Sequence, residues 1–555
     1  MAIEAADVLV ETIEALTSRA PAIGAAAAAA LGATRLNLHF GDGSRASLVA
    51  SRSRLVAARA PTDATVDVHF DDRALALLFD AQRRPADQVL EGSLDVRGPR
   101  AELLAAWRCF SILSQRASGM RMVQAIWLRY REQQAAAGRF PGAADRIDPP
   151  PRANGRRRGR AFWEASRWPA LTYLDRRHPA ARELIEKNEP VLAPARSLWN
   201  GRDGASWQTR PDIFDNDLHE TLARCKRAVV DEVLRLIPRK APREDLYELM
   251  RQYVSREGKG LRPTLLIATC MALGGRMDDA LRTAAALEFF HNGFLVHDDI
   301  ADESTHRRGL PTLHEAYGVG LAVNTGDAMN LFAIDMTLSN LESLGLARTL
   351  GLIHEILHMC RETVEGQAIE LGWIRRNTVP ARDVDYSRMS TKKTGWYTCI
   401  SPCRMGAVAA GETAPEVLDR FNETLRLVGI AFQIQDDVLN LIGEPELYGK
   451  EPLGDLLEGK RTIMMIHLFR EASERVRRRM TKINAMPRAE KTLAHAEEML
   501  AAMRKVGSID YAIGLADRLA NQAVRRFEKD LAFIDENPAK AVLRQIANYV
   551  TTRAL

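Results

Sequence analysis

Residues 138–160 read GRFPGAADRIDPPPRANGRRRGR. Proline, glycine and like charge are concentrated there, so the stretch cannot bury enough apolar surface to offset the entropy of ordering it. A chain interrupted in this way does not fold around one core. At 555 residues it is also too long for one. The segment reads as a solvated tether, with RRRGR as charge carried on it rather than a contact for lipid or RNA. Three parts follow: an α+β domain over 1–130, a connection over 131–210 rich in Trp, Pro and Arg, and an all-α domain over 211–555.

Composition narrows the function class. Net charge is +5 with both signs interspersed, too mild to argue for a nucleic-acid partner. Cys109, Cys225, Cys270, Cys360, Cys399 and Cys403 are scattered without a CxxC pair, so neither a disulfide framework nor a zinc ribbon is indicated. The N-terminal MAIEAADVLVETIEAL is acidic where a signal peptide is basic. The run AIGAAAAAALGA is built of alanine and is far shorter than the roughly 20 apolar residues of a membrane span. The expectation is a soluble, cytoplasmic protein with no transmembrane segment.

Before the tether, RLNLHF and TVDVHF alternate apolar with polar at period two, as half-buried strands do. RALALLFDAQ and AELLAAWRCFSIL have helical spacing, and GSLDVRG is a strand bounded by glycines. This order over residues 30–120 resembles the sterol-carrier (SCP2-like) domain. The resemblance implies an apolar tunnel able to take a lipid or prenyl tail.

From residue 211 onward, apolar residues recur at three and four positions, and glycine or proline breaks fall between segments. That pattern predicts long helices bundled around a central cavity. Two acidic clusters lie within it. In VHDDIADESTHRRG, Asp298 and Asp302 are four apart, about 40° from each other around a helix axis, with Asp299 at the edge of the same face. FQIQDDVLN repeats the spacing with Asp436, Asp437 and Asn440. Carboxylates on one stripe repel one another, and each cluster follows an apolar run rather than lying on a polar face. Cations are the natural means of neutralising them. Oxygen ligands without convergent His or Cys favour Mg²⁺ held together with substrate phosphates. Basic residues surround the clusters: Lys259 and Arg262 in GKGLRP, His291 two turns before Asp298, Arg307 and Arg308, Lys393, and Lys460 in GDLLEGKRT. Together these cations suffice for two diphosphates.

The ordered series GKGLRP, EFFHNGFLVHDDIAD, RRGLPTLH, NTGDAMN, GQAIEL, KKTG, FQIQDDVLN and GDLLEGKRT resembles the trans-isoprenyl diphosphate synthases over most of residues 211–470. The resemblance implies a homodimeric, Mg²⁺-dependent prenyltransferase that condenses isopentenyl diphosphate with an allylic diphosphate, using about three Mg²⁺ per site. Asp298, Asp302 and Asp436 would ligate metal, with Asp299 and Asp437 supporting them. Arg307, Lys393 and Lys460 would hold the leaving diphosphate. Lys259, Arg262, His291 and Arg308 would hold isopentenyl diphosphate, and Thr394 and Gln433 would stabilise the allylic cation. A bulky Phe294 and a bare Gly293 before the first cluster suggest a partly open pocket floor. They favour geranylgeranyl diphosphate as product, with farnesyl diphosphate next.

Three positions depart from the family pattern: Asn440 for aspartate, Glu257 for glycine and Glu370 for aspartate. None removes a leading aspartate or a cation of the set. HEILH at 354–358 has two-histidine zinc-protease spacing, but no third ligand follows it, and chance on a bundle helix is the better reading. GVGLAV lacks the preceding strand a dinucleotide fold demands. Two rival functions share these features in part. A terpene cyclase would have no use for the GKGLRP pair. A silent lipid-binding or regulatory subunit would be expected to lose leading aspartates.

Overall fold

Alternation decides the first part of the chain. In β1 (Leu36–Phe40), Leu36, Leu38 and Phe40 are buried; in β4 (Val66–Phe70), Val66, Val68 and Phe70 are, and in β5 (Leu94–Arg97), Leu94 and Val96. With β2 (Arg45–Ser51) and β3 (Arg54–Ala58) they form one sheet in the order β3-β2-β1-β4-β5, where only the β1–β4 pair is parallel. Two N-terminal helices, α1 (Ala5–Arg19) and α2 (Pro21–Leu31), and a later one, α3 (Arg100–Ile112), supply the rest of this α+β core. The alanine run forms α2, where Ala27 and Ala28 are buried in that core.

This computed structural model describes residues 4–52, 54–70, 94–113, parts of 120–130, 213–256, 258–443 and 452–552. The helix expected over RALALLFDAQ, the connection 131–210 and Glu257 lie outside these residues. The chain divides into two compact units, Met1–Leu198 with Ser339–Gly351, and Trp199–Leu338 with Leu352–Leu555.

The second unit is helical. Its principal helices are α4 (Leu218–Leu236), α5 (Glu248–Val254), α6 (Leu261–Ala272), α7 (Met277–Ala301), α8 (Val319–Leu338) and, from Leu352 onward, α9 (Gly345–Arg375), then α10 (Asp383–Ser390) and α11 (Ser401–Ala410). They continue with α12 (Asn422–Ile442), α13 (Ile463–Glu471), α14 (Glu474–Asn484), α15 (Leu493–Lys505), α16 (Ser508–Asp530) and α17 (Pro538–Thr552). Helix α7 is buried around most of its girth, as the central helix of a bundle must be. A ten-residue π-helical segment, Thr391–Ile400, joins α10 to α11 and carries KKTG. Wider i→i+5 turns of this kind recur at functional sites. Among the described residues no helix is long and apolar enough to cross a membrane.

Candidate active site

The first acidic cluster sits at the C-terminal end of α7, and its three carboxylates have different tasks. Asp299 is buried and accepts hydrogen bonds from the Tyr253 hydroxyl (2.9 Å) and from Arg307 Nε. Burial raises its pKa against the pull of Arg307. Asp298 is partly exposed; it accepts from Gln367 Nε2 (3.0 Å) and lies 3.7 Å from Lys393 Nζ. Asp302 caps α7 and lies 3.1 Å from Lys460 Nζ. Burial, with Asp298 and Glu458 nearby, pushes its carboxyl up to about 7 despite Lys460.

Arg307 reaches Asp299 because the chain turns back at once. His306–Arg307 pairs antiparallel with Leu310–Pro311, and the two residues between, Arg308 and Gly309, both have positive φ (55° and 74°). A two-residue hairpin needs that conformation, and glycine supplies it without strain. Arg308 thereby comes beside Gly258, where an added Cβ would stand 3.0 Å from its guanidinium.

The second cluster, on α12, mirrors the first. Asp437 is buried and accepts from Tyr386 Oη (2.7 Å) and Gln433 Nε2 (2.7 Å). Burial and the neighbouring Asp455 and Asp436 raise its pKa well above the usual carboxylate range. Asp436 is half-buried. Asn440 is buried, and its Oδ1 accepts the backbone N–H of Asp455 (3.0 Å), fixing the loop that carries Lys460. Here asparagine holds the backbone of that loop.

Two lysines tie these elements together. Lys393 pairs with Glu370 on α9 and faces Asp298; Lys460 lies 3.1 Å from both Asp302 and Asp455 and 2.6 Å from Glu458. Burial opposes the charge of each, but the surrounding carboxylates overcome it and hold both pKa values high. Glu370 reaches Lys393 with its extra methylene, which accounts for glutamate at that position.

A second basic group gathers around His291, two turns up α7 from Asp298. Arg262, in the first turn of α6, donates to Thr398 Oγ1 (2.8 Å), approaches His291 Nε2 (3.3 Å) and stacks over Tyr397 (4.4 Å). Gly260 lets α6 begin where it does: its φ is +66°, and a Cβ would meet the Leu222 carbonyl at 2.9 Å. His291 is buried; burial and then Arg262, Arg308 and Arg307 hold its pKa well below the usual value. Lys259 is exposed nearby in sequence.

Phe294 packs against Phe290 and edge-on against Tyr397, with ring centroids 6.2 Å apart in both cases. It lines the side of α7 that faces the π-helical segment. Gly293 does not join it. A Cβ there would stand 2.7 Å from Asn330 Oδ1 and 3.1 Å from the Gly326 carbonyl of α8. The space a glycine leaves is filled by the neighbouring helix, so Gly293 does not open a pocket floor, which corrects the sequence expectation. In HEILH, Glu355 is buried and accepts from Arg404 Nε and Nη2 (2.7 and 2.9 Å).

Three comparisons bear on this arrangement. The Polyprenyl synthetase family profile matches residues 243–503. A geranylgeranyl diphosphate synthase of Methanosarcina mazei is 32% identical over 326 residues, 59% of this chain and 94% of that enzyme. A geranylgeranyl pyrophosphate synthase of Geoglobus acetivorans is 31% identical, over 59% of this chain and 96% of its own. The crystal structure of geranylgeranyl pyrophosphate synthetase from Pyrococcus horikoshii superposes with a TM-score of 0.53 at 31% identity, covering 60% of this chain and 98% of that one. The chain belongs to the polyprenyl synthetase family. Its second unit carries the family's all-helical fold, and the shared part accounts for nearly the full length of those relatives.

Several residues that build this synthetase site carry no mark in the sequence. Tyr253 and Tyr386 each hold the second aspartate of a cluster from 46 and 51 positions away. Gln367, which binds Asp298, and Gly366 beside it lie inside GQAIEL, where only Glu370 was singled out. Gly366 and Gly429 are needed for close approach: their Cβ atoms would stand 2.3 Å from Lys393 N and 2.7 Å from Gly395 Cα.

Proposed function

We propose that the protein condenses isopentenyl diphosphate with an allylic diphosphate, head to tail, to give a linear prenyl diphosphate, and that its main product is geranylgeranyl diphosphate. The observation carrying this is the pair of half-buried lysines, Lys393 and Lys460. Each is held among carboxylates of separate elements, so cations and anions are stored together where a metal–diphosphate complex would exchange with them.

The donor set suits Mg²⁺. Asp298, Asp302 and Asp436 offer hard carboxylate oxygens on two helices, and burial of Asp302 favours a bound cation. Those three residues would hold the ions, and Mg²⁺ would supply charge neutralisation to the departing diphosphate. Lys393, Lys460 and Arg307 bind the same leaving group directly. Arg262, His291, Arg308 and Lys259 bind the diphosphate of isopentenyl diphosphate. As the allylic carbon–oxygen bond breaks, its electron pair leaves with the diphosphate. The double bond of isopentenyl diphosphate then forms the new carbon–carbon bond, and a proton passes to the released diphosphate. Thr394, which donates to Gln433 Oε1 (2.6 Å), turns its oxygen toward the cation, and the protein's contribution is placement and fixed charge. Phe290 and Phe294 cap the growing chain, and relatives 30–32% identical over 53–59% of this chain are named geranylgeranyl diphosphate or pyrophosphate synthases.

The exposed apolar side chains of α8 and α9 support a homodimer. The sterol-carrier resemblance adds that the first unit takes a lipid or prenyl tail. Deleting residues 1–160 would then slow product transfer to lipid acceptors and spare condensation.

The test is incubation with isopentenyl diphosphate and dimethylallyl, geranyl or farnesyl diphosphate in Mg²⁺, with products dephosphorylated and sized beside Asp298→Ala. A linear prenyl alcohol that vanishes in the variant is expected. A cyclised hydrocarbon from one diphosphate, or no turnover, would overturn the reading.

A further inference from the structure

Gln433 has one amide oxygen and one amide NH₂, and both are engaged. Its Oε1 accepts from Thr394 Oγ1 (2.6 Å) and its Nε2 donates to Asp437 Oδ1 (2.7 Å). The other carboxylate oxygen, Asp437 Oδ2, accepts from Tyr386 Oη at 2.7 Å. Tyr386 and Asp437 are both buried, at 1% and 5% exposure, so no solvent competes for these bonds.

The direction of this chain is fixed at one end. Both oxygens of Asp437 accept, one from Tyr386 Oη and one from Gln433 Nε2, so the amide has its NH₂ toward Asp437 and its oxygen toward Thr394. An amide oxygen only accepts as well, so the Thr394 hydroxyl must donate to it. Its single proton is thereby used, and its lone pairs are what remain for the cavity. Remove the Tyr386 hydroxyl and Asp437 loses the donor that pins its second oxygen; the amide and the Thr394 dipole then lose their reference.

We propose that Tyr386 is a positioning residue for the allylic cation, acting through Asp437 and Gln433 on the orientation of the Thr394 hydroxyl. This rests on the prenyl-transfer reading of the same site. The first cluster holds a built-in contrast. Tyr253, buried to 0% exposure, donates to Asp299 Oδ2 at 2.9 Å, but Asp299 Oδ1 accepts from Arg307 Nε. That relay ends on a cation that grips diphosphate, not on a hydroxyl facing a carbocation. The two tyrosines therefore act on different kinetic constants.

The experiment is steady-state kinetics of Tyr386→Phe, Thr394→Val and the double variant, with Tyr253→Phe alongside, using isopentenyl and farnesyl diphosphates. Tyr386→Phe should lower kcat about tenfold, less than loss of a direct electrostatic donor, and leave both KM values within about twofold. The double variant should be no slower than Thr394→Val, within about twofold, because one link cannot be lost twice. Tyr253→Phe should instead raise KM for farnesyl diphosphate. Losses that multiply in the double variant would show a merely structural tyrosine and overturn the proposal, as would any other pattern for Tyr386→Phe. If Tyr386→Phe does not fold by circular dichroism, Gln433→Met takes its place in the same cycle, with the same two outcomes. Failure of the wild type to condense the two diphosphates would instead overturn the underlying reading.

Discussion

His291 is buried among cations, and folding therefore acts on its protonation. Burial, followed by Arg262, Arg308 and Arg307, keeps its imidazole neutral in the folded chain. The unfolded chain takes up the proton near pH 6.5. Below that pH the unfolded state binds one proton more, so stability is full above pH about 6.5 and falls on acidification, by up to about 1.4 kcal/mol per pH unit for this group. His291→Gln should flatten the pH dependence of Tm between about pH 5 and 7; a slope unchanged from wild type would show that other groups carry it. A diphosphate bound beside His291 favours the charged form, so saturating inorganic diphosphate should flatten the wild-type slope too. At this scale the sequence was informative about charge and silent about partners. Aspartates and cations inside apolar runs are conspicuous, and their spacing along α7 and α12 puts them on one face. That Asp299 and Asp437 are tied to tyrosines could not be read, because the tyrosines come from other helices.

The element that organises the site is the π-helical segment Thr391–Ile400, clasped between α9 and α12. Gly366 and Gly429 allow that approach, and no larger residue fits without moving backbone. Gly366→Ala would place a Cβ 2.3 Å from the Lys393 amide nitrogen and 2.6 Å from its Cα. Since the obstacle is main chain, the segment must shift, at a cost of about 1–3 kcal/mol of stability. It would carry Lys393 and Thr394 with it, so kcat should fall by more than the loss of folded protein explains. Chemical denaturation and kcat measured on the same preparation check both; wild-type stability would mean the two helices separate freely. The helices flanking the segment were legible from their three-and-four spacing, and β1, β4 and β5 from alternation. The π-helix was not, because ten residues with widened turns leave no distinctive period. The use of Gly293 was misread for a related reason: a glycine at a helix crossing and a glycine lining a cavity look the same in one dimension.

At the scale of the whole molecule, the outer faces of α8 and α9 are the feature the chain by itself does not explain. Leu357, Val364 and Leu371 recur every seven residues along α9 and are 45%, 53% and 37% exposed. On α8, Leu331 is 68% exposed, with Val319 and Val323 exposed on the same helix. A seven-residue repeat keeps one stripe of a helix aligned over its length, as a helix does when it packs against a partner. Single exposed apolar residues are ordinary, but rows of them on two long helices mark an interaction surface. A stable self-association buries about 800 Å² per partner, which two faces of helices this long can supply. Leu357→Glu with Val364→Glu places two carboxylates on the stripe, and a two-fold contact would press them against the same apolar stripe of the second copy. On the proposed homodimer, the wild type should elute and scatter as a dimer and the double variant as a monomer, with Tm lowered as the partner's contribution is lost. A wild-type protein that is monomeric at micromolar concentration, or a variant that stays dimeric, would move the interface elsewhere. Neither substituted residue touches the acidic clusters, so the monomer should still bind inorganic diphosphate. Any loss of turnover in it would measure how far the site depends on the second copy to hold α9, with Gln367 and Glu370, in place.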